Sequence, residues 1–227
     1  MNQPPTPHLA SVAGVEPVSD DLFQLTLEVA PLVAKSFTIA GQFHQLRVGE
    51  LEARPFAIAS APGSEKFEYL VRKGFPLANA LSLGDTPITT GLAEGPGFPL
   101  EASRGRDLLM ITTGTGLAPM RSVIDVVRHR RLEWGRVTLL LGGRRPTDFG
   151  WRNEWKHWER SGITVVPTVL HPEPGWTGEH AHLVTLVPSS GLEKTSVFLV
   201  GSDELVAEVR KTLDERGVAS HHLHLNV

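Results

Sequence analysis

One short segment of the 227-residue chain, Thr113-Gly-Thr-Gly-Leu-Ala-Pro119, follows an apolar run and opens a stretch with helical spacing. Gly114 and Gly116 let a backbone turn tightly and approach a ligand with no Cβ in the way. Pro119 has the fixed φ of a first helical turn, where its missing N–H is not needed. The unpaired N–H groups and the helix dipole then favour a diphosphate above the loop. A glycine turn can also be purely structural; the strand before it and the helix after it favour the ligand-binding alternative.

A second group, Gly142-Gly-Arg-Arg145, closes the next apolar run. In open α/β sheets the adenosine ribose lies at such a position. Arg144 and Arg145 suit a 2′-phosphate, because a guanidinium matches phosphate oxygens bidentately. A solvated basic loop is the alternative, and it weighs more for Arg145 than for Arg144. A third group, Arg54-Pro-Phe-Ala-Ile-Ala-Ser60, is an apolar strand with one arginine at its head. That guanidinium needs an anion, either a carboxylate or a ligand phosphate.

The ten histidines raise the question of a metal, especially His221, His222 and His224. Alternation puts only His222 and His224 on one face of a final strand. The looser set His171, His180 and His182 lies near Glu173 and Glu179. Surface or hydrogen-bonded histidines account for both sets, so no metal is assigned. Trp151, Trp155 and Trp158 form a stripe on one face of a helix, which reads as helix core rather than a redox relay.

The elements that carry these groups change rhythm near residue 103. Before it come short alternating runs, such as Leu22–Val29, Phe43–Val48 and Phe67–Val71, separated by glycine and proline turns. These predict a small antiparallel barrel or sandwich, with one short helix around Pro76 to Ser82. After Glu101-Ala-Ser-Arg-Gly-Arg106, buried strands at Asp107–Thr112, Val137–Leu141, Ile163–Val169 and Val197–Val200 alternate with helices. That order predicts a parallel, doubly wound sheet. Ser202 can cap the last helix, Asp203 and Glu204 suit its positive end, and Gly217 stops it.

Composition narrows the chemistry. The chain has 41% hydrophobic and 21% charged residues, as in ordinary globular proteins. A net charge of -3 gives no basic field for nucleic acid or an anionic membrane, so phosphate sites must be built locally. With no cysteine, disulfides, thiolate metal sites and Cys-ligated iron–sulfur clusters are excluded from these residues. The polar, proline-rich stretch Met1–His8 does not read as a signal peptide and is expected to be a frayed tail. No apolar run is long enough to span a bilayer, and a cytoplasmic location is expected.

In order and spacing, the motifs resemble the ferredoxin–NADP reductase family, and among its short members the NAD(P)H:flavin reductases. Ala40-Gly-Gln-Phe43, Arg54-Pro-Phe-Ala57, Val71-Arg-Lys73, Gly95-Pro-Gly97, Thr113 to Pro119, Gly142-Gly-Arg144, Gly175-Trp-Thr-Gly178 and Gly201-Ser-Asp203 carry the resemblance across nearly the whole chain. It implies a six-stranded antiparallel Greek-key flavin-binding barrel over residues 1–102. A doubly wound parallel NAD(P)-binding α/β domain would follow over 103–227. By the same resemblance Arg54 binds a flavin phosphate, with Pro55, Phe56, Ala57, Val71, Arg72, Ala78 and Asn79 also at the flavin. Thr113, Gly114, Thr115, Gly116, Leu117 and Pro119 would hold the nucleotide diphosphate. Arg144 and Arg145 would meet its ribose end, and Gly201, Ser202 and Asp203 would flank the nicotinamide nucleotide.

The sequence also departs from the family pattern. Ala57 replaces the Ser or Thr whose hydroxyl meets flavin N5, and Phe56 replaces a Tyr. Phe75-Pro-Leu-Ala78 lacks the hydroxyl of the pyrophosphate loop, Val200 stands for a Cys, and Leu225-Asn-Val227 lacks a terminal aromatic. No essential catalytic side chain is therefore assigned. The expected function is a flavin-dependent NAD(P)H oxidoreductase using FAD or FMN, with electrons leaving to a separate acceptor. That acceptor is free flavin, an electron-transfer protein, an oxygenase or a small oxidant. The alternatives are an electron-transfer subunit of a larger complex and a non-catalytic nucleotide sensor.

Overall fold

The computed structural model describes residues 7–75, 78 and 86–226. Six strands come first: β1 (His8–Pro17), β2 (Leu22–Val29), β3 (Phe43–Val48), β4 (Arg54–Ala57), β5 (Lys66–Arg72) and β6 (Ile88–Thr90). They pair antiparallel in the order β4-β3-β6-β1-β2-β5. A bridge between Ile58 and Tyr69 brings the two edges together, so the sheet curls into a near-closed barrel. Period-two alternation decides its interior. Phe23, Leu25 and Leu27 of β2 face Val71, Tyr69 and Phe67 of β5, and all six are buried in one cluster. Inside it, His44 Nδ1 lies 2.7 Å from Tyr69 Oη. A short helix, α1 (Pro31–Ser36), joins β2 to β3 with proline in its first turn.

The second half holds β7 (Asp107–Thr113), α2 (Leu117–His129), β8 (Val137–Gly143), α3 (Arg152–Arg160) and β9 (Ile163–Val169). It continues with β10 (Thr195–Val200), α4 (Asp203–Glu215) and β11 (Leu223–Leu225). The five strands are parallel in the order β11-β10-β7-β8-β9. Because the chain winds outward from β7 to β9 and then returns to β10, the order reverses between β7 and β10. Leu108 and Met110 of β7 pack with Met120, Val123 and Trp158 on one face. Leu109 and Ile111 pack with Leu205, Val209 and Leu213 on the other. Both faces are covered, which is why these strands read as continuous apolar runs.

No gap separates the halves. Phe98 and Phe198 stack at 4.6 Å within a cluster that also contains Leu22, Leu70 and Met110. Among the described residues, every antiparallel strand precedes Glu101 and every parallel strand follows Ser103.

Several expectations need correcting. Alternation does not predict β1, because a bulge between Val12 and Gly14 shifts its phase and its side chains are mostly exposed. Trp151 precedes α3 rather than belonging to it, at φ 50 in the left-handed region, but it is buried in the same core cluster as Trp158, with Trp155 packed against it. His222 lies in a tight helical turn, so only His224 belongs to the last strand. The helix proposed from Pro76 to Ser82 falls outside the described residues except for Ala78. In α4, Ser202 does cap, its hydroxyl accepting the Leu205 N–H at 3.4 Å.

Candidate functional site

Two cavities lie side by side where the barrel meets the parallel sheet. The larger, about 760 Å³, opens at the carboxyl ends of β7, β8 and β10, the side on which the strand order reverses. Its floor is Thr113 to Gly116, with Gly142, Gly143 and Arg144 on one side and Val200, Gly201 and Ser202 on the other. The smaller, about 530 Å³, is walled by Phe43, Pro55, Phe56, Ala57, Leu70 and Phe75 from the barrel half and closed by Ala118 and Pro119. Arg72, Thr115, Gly116 and Val200 line both.

The glycine loop forms as its residue types require. Gly114 has φ 56, a conformation that L side chains rarely adopt, and a Cβ there would stand 3.1 Å from Arg72 Nη2. At Gly116 the reason is space: a Cβ would lie 2.9 Å from Val200 Cγ1 and overlap the Thr112 hydroxyl. Thr112 Oγ1 is itself buried with no hydrogen-bond partner among the described residues. The two glycines thus make a cradle that side chains would fill, with the start of α2 directly behind it.

Charge in the larger cavity is mixed. Arg72, Arg144 and His182 stand against Asp21, Asp148, Glu204 and Glu208. His182 Nε2 lies 3.7 Å from Glu208 Oε2, an ion pair only when the imidazole is protonated. Asp148 Oδ2 accepts the N–H groups of Arg144 at 2.8 Å and Arg145 at 3.0 Å, which fixes the loop after β8. The Ser202 hydroxyl holds the Glu204 carboxyl below its ordinary range.

The residues singled out from sequence fall into three groups. Pro55, Phe56, Ala57 and Arg72 line the smaller cavity, as do Thr115, Gly116 and Pro119 from the glycine loop. Thr113, Gly114, Arg144, Gly201 and Ser202 line the larger one. The rest lie elsewhere. Arg54 is exposed and pairs with Glu52 at 2.9 Å. Val71 points into the barrel, because alternation on β5 sends Leu70 and Arg72 to the cavity side and Tyr69 and Val71 inward. Leu117 packs in the core under α2, and Ala78 is buried in the barrel cluster. Arg145 and Asp203 line neither cavity, and Asn79 falls outside the described residues.

Asp148 and Glu208 in the larger cavity, and Gln45 and Asn226 in the smaller, are not singled out by the sequence, and His182 lines the larger cavity rather than being only a surface histidine. Asn226 donates its amide N–H to the Gly41 carbonyl at 2.6 Å, joining the end of the parallel sheet to the barrel beside that cavity. Only Asp148 had a local signal, four residues after Arg144 in a turn. Among the described residues no group of three His, Cys, Asp or Glu could hold a metal, and no helix is long and apolar enough to cross a membrane.

Comparison with known proteins places this geometry in context. Residues 110–211 match the family model described as an oxidoreductase NAD-binding domain. The chain is 30% identical over 219 residues to the sulfhydrogenase 1 subunit gamma of Pyrococcus furiosus, covering 92% of this chain and 74% of that one. It is 29% identical over 244 residues to ferredoxin–NADP reductase B of Sorangium cellulosum, covering 96% of each. The fold superposes on a ferredoxin NADP+ reductase from Neisseria gonorrhoeae, solved with bound FAD and NADP, with a TM-score of 0.80, 18% identity and 97% coverage of both chains. With the barrel, the parallel sheet and the paired cavities in place, this chain belongs to the ferredoxin reductase-like family.

Proposed function

We propose that the chain is a flavin-dependent NAD(P)H oxidoreductase, with the flavin held by residues 1–102 and the nicotinamide nucleotide by residues 103–227. The observation that carries this is the shared wall: Arg72, Thr115, Gly116 and Val200 line both cavities, so ligands in the two would meet there. The residues present suit both groups. The smaller cavity is an apolar slot, with Phe56 and Phe75 edge-to-face at 6.1 Å on its wall. The larger has the glycine cradle and helix start that a diphosphate requires.

A flavin bound there would supply the redox chemistry, hydride acceptance from reduced nicotinamide and onward electron transfer. The chain's own residues bind, orient and exclude water. Pro55, Phe56, Ala57 and Phe75 wall the ring site, and Arg54 at the exposed head of β4 offers a charge to a flavin phosphate. Gly114 to Gly116 would offer backbone N–H groups to the nucleotide diphosphate, Arg144 would serve its ribose end, and Gly201 and Ser202 would flank it. The side chains of Ala57 and Val200 carry no proton donor, so the rate would rest on placing the two rings together.

None of the 227 residues can form a thiolate-ligated cluster, so an iron–sulfur acceptor would lie outside them. The relatives' names, a ferredoxin–NADP reductase and a sulfhydrogenase subunit, support an acceptor that is itself an electron-transfer protein. Titration of FAD and FMN, followed by anaerobic mixing with NADH or NADPH, tests the reading. Bleaching of the flavin absorbance is the expected result. Binding without bleaching would favour a nucleotide sensor, and no flavin binding would refute the reading altogether.

A further inference from the structure

Beside the cavities lies a set of half-buried charges that hydride transfer does not itself require. Arg121 of α2 is 11% exposed in its side chain. Its Nε donates to Glu154 Oε2 at 2.9 Å and its Nη2 to Glu154 Oε1 at 2.9 Å, a bidentate fork within the nucleotide half. Its Nη1 reaches into the barrel, to Glu68 Oε2 at 2.5 Å and the Ala59 carbonyl at 3.3 Å. The guanidinium also stacks over Trp151 at 4.8 Å. Trp151 Nε1 donates to Gln24 Oε1 at 2.7 Å, and Gln24 Nε2 donates to Glu68 Oε1 at 3.0 Å, closing a ring of contacts across the junction. Trp151 keeps its left-handed backbone in this ring; such conformations persist where the surroundings over-determine them.

The position of this ring matters more than its strength. Glu68, Leu70 and Arg72 share one face of β5, and the last two line the smaller cavity. Arg121 lies three residues after Ala118 on α2, on the same side of the helix, and Ala118 closes that cavity from the opposite half. The clamp therefore joins two elements, one from each half, that face each other across the gap of the smaller cavity. On the far side, Asn226 ties the sheet to Gly41. Reaction rates are steep in such a gap, and a displacement of about 1 Å can cost on the order of a hundredfold.

We propose that Arg121 is a positioning residue for hydride transfer, fixing the separation of the flavin and nicotinamide sites through Glu68 and Trp151. This rests on the flavin-dependent reading above. Arg121→Lys keeps the charge but loses the fork and the flat stacking surface; Arg121→Gln loses the charge as well. Flavin reduction at saturating NAD(P)H should fall about tenfold or more in Arg121→Lys and further in Arg121→Gln, with flavin and NAD(P)+ dissociation constants within about twofold of wild type. The long-wavelength charge-transfer absorbance of the nicotinamide–flavin complex should weaken in parallel. A lowered melting temperature with unchanged reduction rate and charge-transfer band would overturn the proposal.

A second measurement needs no cofactor. The chain has no cysteine, so spin labels at Glu65→Cys and Leu132→Cys, both exposed, report the distance between the halves. That distribution should broaden when Arg121→Gln is added. An unchanged distribution overturns the proposal, whereas a wild type that binds no flavin overturns the functional reading instead.

Discussion

His44 makes the barrel sensitive to acid. The imidazole is fully buried against Tyr69 and Phe67, with Nε2 lacking a hydrogen-bond partner among the described residues. Burial pushes its pKa down from 6.5 to about 4, and pushes the Tyr69 phenol well up, so that Tyr69 stays neutral throughout. Below pH 6.5 the unfolded chain takes up a proton that the folded chain refuses until about pH 4. Stability from the neutral histidine is therefore complete above pH 6.5 and lost as the pH falls towards 4. Linkage converts that difference to about 3 kcal/mol in full, of which about 2.5 kcal/mol is lost by about pH 4.5. The loss is a large part of the roughly 5–15 kcal/mol that stabilises a typical domain. Urea unfolding across this range, followed by tryptophan fluorescence, measures it. Carboxylates also titrate here, so the reference is a variant combining His44→Phe with Tyr69→Phe, which removes the titrating group and its partner together. Wild type should lose about 2.5 kcal/mol more than this variant on acidification. Parallel losses in the two proteins would refute the assignment.

Ala57→Ser is nearly isosteric and puts a hydroxyl at the flavin cavity; stopped-flow flavin reduction should accelerate with nucleotide affinity unchanged, and no acceleration would mean that N5 already has a donor. Arg54→Ala should weaken flavin binding by about 1.5–3 kcal/mol, the scale of a charge-assisted hydrogen bond, and equal affinities would move the phosphate site elsewhere. Arg144→Ala should raise the Michaelis constant for NADPH more than for NADH, while Arg145→Ala, outside both cavities, should alter neither. Gly116→Ala forces a methyl against Val200 and Thr112, at an expected cost of about 1–3 kcal/mol in strain, with weakened NAD(P)+ binding measured by calorimetry.

How far the chain could be read without its structure depended on the range of each signal. Strands β2, β3 and β9 were legible because each alternates or runs apolar within itself, and α4 because Ser202 and Gly217 mark its ends locally. The glycine loop was legible for the same reason, since its conformation is set by a few adjacent residues. β1 was not, because a single bulge breaks the phase on which alternation depends.

At the site, residue identity was local but residue placement was not. The sequence contains Val71 and Arg72 side by side, and only the closure of β5 onto β2 and Ile58 turns one into the barrel and the other into the cavities. Arg54 was singled out as a charge in an apolar strand, yet its exposure beside Glu52 is a matter of where the barrel ends. Asn226 and the Arg121 ring had no signal in the chain, for their partners lie up to 185 residues away. The sequence by itself determined the two kinds of sheet and the loop that can take a phosphate, because those depend on short-range backbone preference and apolar period. Which side chains face one another across the two halves was decided only by tertiary structure, since packing Phe98 on Phe198 and clamping Arg121 to Glu68 fix an orientation that no local rule encodes.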